Sequence, residues 1–420
     1  MVEVIKKTFL KGRLPVITSK SAAHRIMICA AAADKPTAVT GLNDSADVAA
    51  TRRCLTALGA SFDDACGGVT VVTPIRLSES KKPAEYVDLY CGESGSTLRF
   101  LLPFAAAIGA RARFFCEGRL PERPIDDLIA VMTKNGAKIT REGGAIVVGN
   151  GISAGLYRVG GKVSSQFTSG LLMALPTLCG QSKIICDADA ESKGYIDLTF
   201  DIIKKFGADA EFADGIYDVR GGRPYVSPQK ITVEGDWSNA AFFIVAAALN
   251  GDVTLCGLDV NSRQPDKKIL EIIRRMGGDI KIEANGDIAI KKSRLTAVDI
   301  DAGEIPDLVP VLSVAAGAAK GRAVIYNAGR LRLKESDRLA AAAAMINIAG
   351  GRAAIDGDSL IIDGADAYRP AVIDSVNDHR MAMSAAVLAY AADGEITVTN
   401  ARAVEKSYPK FFDDLKKLGE

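Results

Sequence analysis

A chain of 420 residues is too long for one ordinary hydrophobic core, so two domains are expected. With 48% apolar and 25% charged residues and a net charge of only +1, the composition is that of a globular protein with no overall field to attract nucleic acid or an anionic membrane. The eight cysteines form no CxxC pair, and the two histidines, His24 and His379, are too few for a His-rich zinc site; reduced core thiols are the expectation.

The opening "MVEVIKKTFLKGR" reads as a strand. It lacks the apolar stretch and cleavage site of a signal peptide, and no later run is long enough to span a bilayer; a bacterial cytosolic location is expected. "SKSAAHR" from Ser19 then leads into an alanine-rich helix, a turn and a β-branched strand. The same order recurs after "GESGSTLRF" from Gly92, "SSQFTSGLL" from Ser164, "GDWSNAA" from Gly235, "IPDLVP" from Ile305 and "NDHRMAMS" from Asn377. Six copies spaced by about 70 residues demand a repeat architecture. A second, more polar helix follows in each copy and ends on glycine, as in "LTALGA", "TKNGAK", "KKFGAD", "RRMGGD", "NIAGGR" and "KKLGE".

Each unit therefore reads βαβαββ. The sixth copy stops at its second helix, and residues 2–6 are available to supply its missing strand. This gives one domain from residues 1–17 and 235–420 (copies four to six) and another from 18–234 (copies one to three). The first helix of each copy is apolar around its whole surface and should be buried on all sides. The polar motifs then mark six buried helix N-termini, an arrangement that collects anions in one cleft.

Cations and small hydroxyls gather at these starts: Lys20, Ser21 and Arg25; Gly95, Thr97 and Arg99; Ser164, Ser165 and Gln166; Ser192 in "SKGYID". "RLPERPIDD" adds Arg119 and Arg123, "RLRLKESDRL" adds Arg330, Lys334, Glu335 and Arg338, and "EKSYPKFF" adds Lys406. Arg380 stands at the positive end of a helix dipole, which calls for an anion nearby. Asp307 and Glu335 are the acids among these cations, able to cap, to pair or to move protons. An anion-binding repeat protein without catalysis is compatible with the same residues.

In their order over almost the whole chain, these motifs resemble those of the 5-enolpyruvylshikimate-3-phosphate synthase family. The resemblance implies an inside-out α/β barrel fold, two domains each of three βαβαββ repeats. It implies transfer of the enolpyruvyl group of phosphoenolpyruvate to the 5-hydroxyl of shikimate 3-phosphate, with release of phosphate through a tetrahedral ketal. Carried over by motif, Lys20, Ser21, Arg25, Ser164, Ser165, Gln166, Ser192, Asp307 and Lys334 would contact shikimate 3-phosphate. Lys20, Gly95, Arg123, Gln166, Arg338, Arg380 and Lys406 would hold phosphoenolpyruvate. Asp307, Glu335 and Lys20 would share the proton transfers. No metal or organic cofactor, no nucleic acid and no membrane is implied, and a monomer sensitive to glyphosate is expected. A related enzyme that moves the same group to UDP-N-acetylglucosamine carries a loop cysteine near the position of Arg119; here Cys116 lies in the strand "RARFFCEG" and reads as a core thiol.

Overall fold

The computed structural model describes residues 1–76, 85–160, 164–186, 193–223 and 225–420. The chain forms two compact units, Met1–Ser19 with Glu234–Glu420, and Lys20–Val233. Thr18, Ser19 and Glu234 thus group with the first unit, although the sequence reading placed them in the second. Thr18 bridges Gly235, and the Ser19 N–H donates to the Glu234 carbonyl at 2.7 Å, which ties all of them to the same unit.

The second copy shows how a repeat is built. Strand Val87–Gly92 passes into helix Gly95–Ala107, which returns the chain to Ala112–Cys116, parallel to the first strand. Parallel neighbours require such a crossover. Helix Asp126–Lys134 follows, then the hairpin Ile139–Glu142 and Ala145–Val148, whose second arm pairs antiparallel with Ala112–Cys116. Its turn is Gly143-Gly144 with φ of +57° and +79°, the left-handed pair that a two-residue hairpin needs. The third and fifth copies repeat this four-stranded order, on strands Leu156–Val159, Gln181–Cys186, Ile216–Arg220 and Asp209–Ala213, and on Ile300–Asp301, Arg322–Tyr326, Ser359–Asp363 and Arg352–Asp356.

The copies at the two crossings borrow a strand. Leu10–Pro15, just before the first helix of the second unit, pairs parallel with Gly251–Cys256 of the fourth copy. Lys230–Thr232, just before the first helix of the fourth copy, pairs parallel with Thr37–Thr40 of the first copy. Glu3–Ile5 pairs antiparallel with Ile396–Thr399 and completes the sixth copy's sheet. The single N-terminal strand read from sequence is therefore two, separated at residues 6–9.

The first helix of each copy is the core of its unit. All ten residues of His379–Leu388 and all nine of Val309–Gly317 are buried, and these two helices pack on each other and on Trp237–Asn250. In the other unit Gly95–Ala107 packs on Ser165–Ala174. Leu101, Leu102, Leu171 and Leu172 are fully enclosed there, each contributing about 1.5–3 kcal/mol. Gly170 sets the approach: a Cβ at that position would lie 2.4 Å from the Arg99 carbonyl oxygen and 3.0 Å from Pro103. This close approach brings the starts of the two helices together. The stop glycines Gly59, Gly136, Gly207, Gly277 and Gly350 all have positive φ, as a left-handed helix stop requires. Gly419 differs, being the last residue of helix Phe411–Gly419. Among the described residues no helix is long and apolar enough to cross a membrane.

Candidate active site

In the unit containing Glu234–Glu420, the fifth and sixth helix starts and the segment before Arg338–Ile348 meet in one ionic cluster. Arg338 is its centre. It donates from Nη1 to Asp307 Oδ1 at 2.8 Å, from Nη2 to Glu335 Oε2 at 2.6 Å and from Nε to Asp378 Oδ2 at 2.7 Å. The guanidinium is 1% exposed and Asp378 is fully enclosed. Ser336 also donates to Asp378 Oδ2, at 3.0 Å. Asp307 in turn receives Lys334 Nζ at 3.1 Å and Arg380 Nη2 at 3.3 Å, and its carbonyl accepts from Arg380 Nη1 at 3.1 Å.

Two features of the sequence explain this convergence. Pro306 opens the short 3-10 turn Pro306–Leu308, which sets Asp307 at the mouth of the buried helix Val309–Gly317. Asp378 is the N-cap of His379–Leu388: its side chain accepts the Arg380 N–H at 2.9 Å. The anion that a cation at this helix start calls for is thus Asp307. Lys406 reaches the same place by donating to the Asn377 carbonyl at 2.6 Å. At the fourth start Asp236 caps the helix by accepting the Asn239 N–H at 2.8 Å, and the Asn239 side-chain amide donates to Ser407 at 3.1 Å.

The electrostatics follow from the packing. Burial alone pushes the Asp307 carboxyl up, but Arg380, Lys334 and Arg338 outweigh it and hold the group well below the usual carboxylate range. Burial lowers Lys334 to about 8, with Asp307 pulling the other way. Arg338 is depressed by burial and raised by Asp378, Glu335 and Asp307, which win. Asp307 is therefore an ionised acceptor, and Lys334 is an ammonium that loses its proton within reach of neutral pH.

In the Lys20–Val233 unit a second group of polar residues surrounds the first three helix starts. Lys20 Nζ pairs with Asp47 Oδ2 at 2.8 Å. The Asp47 carbonyl accepts from the Thr97 hydroxyl at 3.4 Å, and Ser94 caps the next helix by accepting the Thr97 N–H. Gly95 begins that helix beneath two guanidiniums, since a Cβ on it would lie 2.7 Å from Arg99 Nη1 and 2.9 Å from Arg123 Nη1. Arg99 donates to Gln166 Oε1 at 3.0 Å and to the Pro124 carbonyl at 2.9 Å. Gln166 donates to Ser96 at 2.9 Å, and its N–H is capped by Ser164. Gly95, Arg123, Gln166 and Ser164 are thereby gathered with Arg99, and Ser165 follows as a buried residue of the same start.

Arg25 is turned into the core. It is 2% exposed, lies 4.8 Å from the centre of the Phe100 ring and donates to Thr199 Oγ1, the Tyr195 carbonyl and the Ser21 carbonyl. Burial lowers it to about 10. Ser192 lies outside the described residues. Two participants, Asp47 and Asp378, were not singled out from sequence as site residues, and Arg99 appeared there only as one of the residues at the second helix start; folding shows that Asp47 holds Lys20, Asp378 holds Arg338 and Arg99 holds Gln166.

The comparisons bear on this arrangement. A model of the EPSP synthase (3-phosphoshikimate 1-carboxyvinyltransferase) family matches residues 4–415. A 3-phosphoshikimate 1-carboxyvinyltransferase of Clostridium botulinum (strain Eklund 17B / Type B) is 39% identical over 417 residues, 98% of this chain and 95% of that protein. The enzyme of the same name from Clostridium acetobutylicum is 37% identical over 415 residues, with coverage of 98% and 95%. An EPSP synthase structure from Acinetobacter baumannii superposes with a TM-score of 0.84 at 27% identity, covering 100% of this chain and 98% of the other. The enolpyruvyl transferase NikO from Streptomyces tendae shares the fold at 19% identity, with a TM-score of 0.81 and coverage of 100% and 97%. Fold and motifs are those of an enolpyruvyl transferase. Within that class, the chain belongs to the EPSP synthase family, whose members transfer the enolpyruvyl group of phosphoenolpyruvate to shikimate 3-phosphate in the shikimate pathway.

Proposed function

We propose that both polar groups serve this one transfer, and that the ring of cations on Asp307 carries its chemistry. Both substrates bear a phosphate and a carboxylate, so bringing them together costs repulsion, which the lysines and arginines offset. Shikimate 3-phosphate is assigned to Lys20, Ser21, Arg25, Ser164, Ser165, Gln166, Ser192, Asp307 and Lys334. Phosphoenolpyruvate is assigned to Lys20, Gly95, Arg123, Gln166, Arg338, Arg380 and Lys406. Asp307 accepts the proton of the 5-hydroxyl as its oxygen attacks C2. Glu335, with Lys20, delivers a proton to the methylene C3 to give a tetrahedral ketal. Loss of a C3 proton then expels phosphate and restores the double bond. These steps move only protons and a phosphate leaving group, so they require no metal or organic cofactor. The protein acts as a cytoplasmic monomer, with no nucleic-acid or membrane partner.

One consequence of the ionic cluster supports the assignment of Asp307. Arg380, Lys334 and Arg338 suppress its basicity. Anionic substrates compete for the same three cations, and each one drawn away lets the Asp307 carboxyl rise toward the value that a working base needs. The test is phosphate release with both substrates present, compared in Asp307→Asn. General-base loss should lower kcat by about 100-fold or more while shikimate 3-phosphate still binds. Near-normal kcat in the variant would remove Asp307 from the chemistry. Binding without any phosphate release in the wild type would favour an anion-binding protein.

A further inference from the structure

Three thiols lie together in the Lys20–Val233 unit, and the transfer reaction uses none of them. Leu89 and Cys91 of strand Val87–Gly92 face inward, both fully enclosed. On the neighbouring strand Ala112–Cys116, Phe114 is the register partner of Leu89, so Phe114 and Cys116 face the same way. After Tyr90 the register slips: Gly92 pairs with Cys116, and Cys91 is the extra residue of a bulge. Cys91 thus stands beside Cys116 on the adjacent strand, and its Sγ lies 3.9 Å from the Leu89 carbonyl oxygen. Cys54 comes from helix Ala46–Ala57, and its Sγ also lies 3.5 Å from the Tyr90 carbonyl oxygen.

The three sulfurs are not equivalent. Cys54 and Cys91 are shut off from solvent, whereas Cys116 is partly exposed. The neighbouring Cys91 thiol, followed by the charge of Arg99, holds the Cys116 thiol below its ordinary range against the effect of burial. Cys91 is pushed well above its range by its two thiol neighbours and by burial. Neighbouring strands lie about 4.8 Å apart. Cys91 is one residue along from Gly92, the register partner of Cys116, so an offset of about 3.3 Å along the strand adds to the spacing across it and gives a Cα separation of roughly 6 Å, within the about 4.4–6.8 Å that a disulfide accepts.

We propose that Cys116 and Cys91 form an oxidation site, Cys116 as the peroxide-reactive thiol and Cys91 as its resolving partner. The Cys116 thiolate sulfur attacks one oxygen of hydrogen peroxide and breaks the O–O bond. Sulfur is oxidised to sulfenic acid, and the displaced hydroxide leaves as water after protonation. The Cys91 sulfur then gives up its proton and attacks Cys116 Sγ. The S–S bond forms, the sulfenic oxygen departs with that proton as a second water, and the two thiols have together reduced one peroxide.

The other exposed and partly exposed thiols are first removed with Cys66→Ser, Cys179→Ser, Cys186→Ser and Cys256→Ser, so that the reaction of the cluster is seen alone. This protein is treated with hydrogen peroxide, blocked with iodoacetamide and mapped by mass spectrometry. The expected product is a Cys91–Cys116 cross-linked peptide that dithiothreitol reverses. With Cys116→Ser added, thiol loss in the cluster should slow by about tenfold or more. With Cys91→Ser added, the cross-link should vanish and a dimedone adduct should appear on Cys116. If either added variant fails to fold, the map of the protein retaining all three thiols decides by itself. Cys116 left reduced, or carried to sulfinic acid without a cross-link, would overturn the proposal, as would a cross-link between Cys54 and Cys91.

Discussion

A methyl group on Gly95 would meet Arg99 and Arg123 at 2.7 and 2.9 Å before it met any ligand. A substitution there would therefore act on the ligand through the two arginines. Both contacts are with the ends of flexible side chains, so Gly95→Ala should fold and shift the arginines. A strain of about 1–3 kcal/mol corresponds to roughly a 5- to 150-fold rise in the KM for phosphoenolpyruvate, with the KM for shikimate 3-phosphate little changed. The inhibition constant of glyphosate, the longer ligand, should rise further. Steady-state kinetics with each substrate varied in turn would check this, and an equal rise for all three ligands would count against it. Lys334 gives a pH prediction. Its folded value of about 8 lies below the ordinary lysine value of about 10.4. As pH rises through 8 the free protein loses a cation aimed at its substrate, so kcat/KM should fall above that pH. Lys334→Arg, whose charge persists, should remove that limb of the pH profile. The sign for stability is opposite: between about 8 and 10.4 the unfolded chain holds more protons, so this group makes the fold more stable as pH rises. At this scale much of the site was legible, because cations beside buried helix starts have few other uses. Asp47 was not, since an acid in a first helical turn has an ordinary reason to be there.

Elements explain why the ionic cluster is rigid. Asp378 caps His379–Leu388 and also fixes Arg338 from another helix. Asp378→Ala removes a cap and leaves a buried guanidinium short of a carboxylate, at a cost of about 3–5 kcal/mol. Denaturant unfolding should show the midpoint falling with an unchanged slope; a loss below about 1 kcal/mol would mean that Arg338 finds another partner. The αβ rhythm and the stop glycines were readable because long buried helices and left-handed stops leave strong local marks. The two short N-terminal strands were not separable, because three residues such as Glu3–Ile5 are too few to show a period. Nor does local sequence reveal that Leu10–Pro15 pairs with Gly251–Cys256, since that partner lies far along the chain.

For the whole molecule, the repeat count was visible in the sequence, and each unit contributes a polar group of its own. The account stands on both groups working in one reaction. The most direct test measures phosphate release with shikimate 3-phosphate and phosphoenolpyruvate in Lys20→Ala and Arg380→Ala, one variant from each unit. Each change removes a cation aimed at a bound anion, a loss of about 3–5 kcal/mol or roughly a 150- to 5,000-fold fall in kcat/KM, with the fold retained. Full activity in either folded variant would contradict the part assigned to that residue in the reaction.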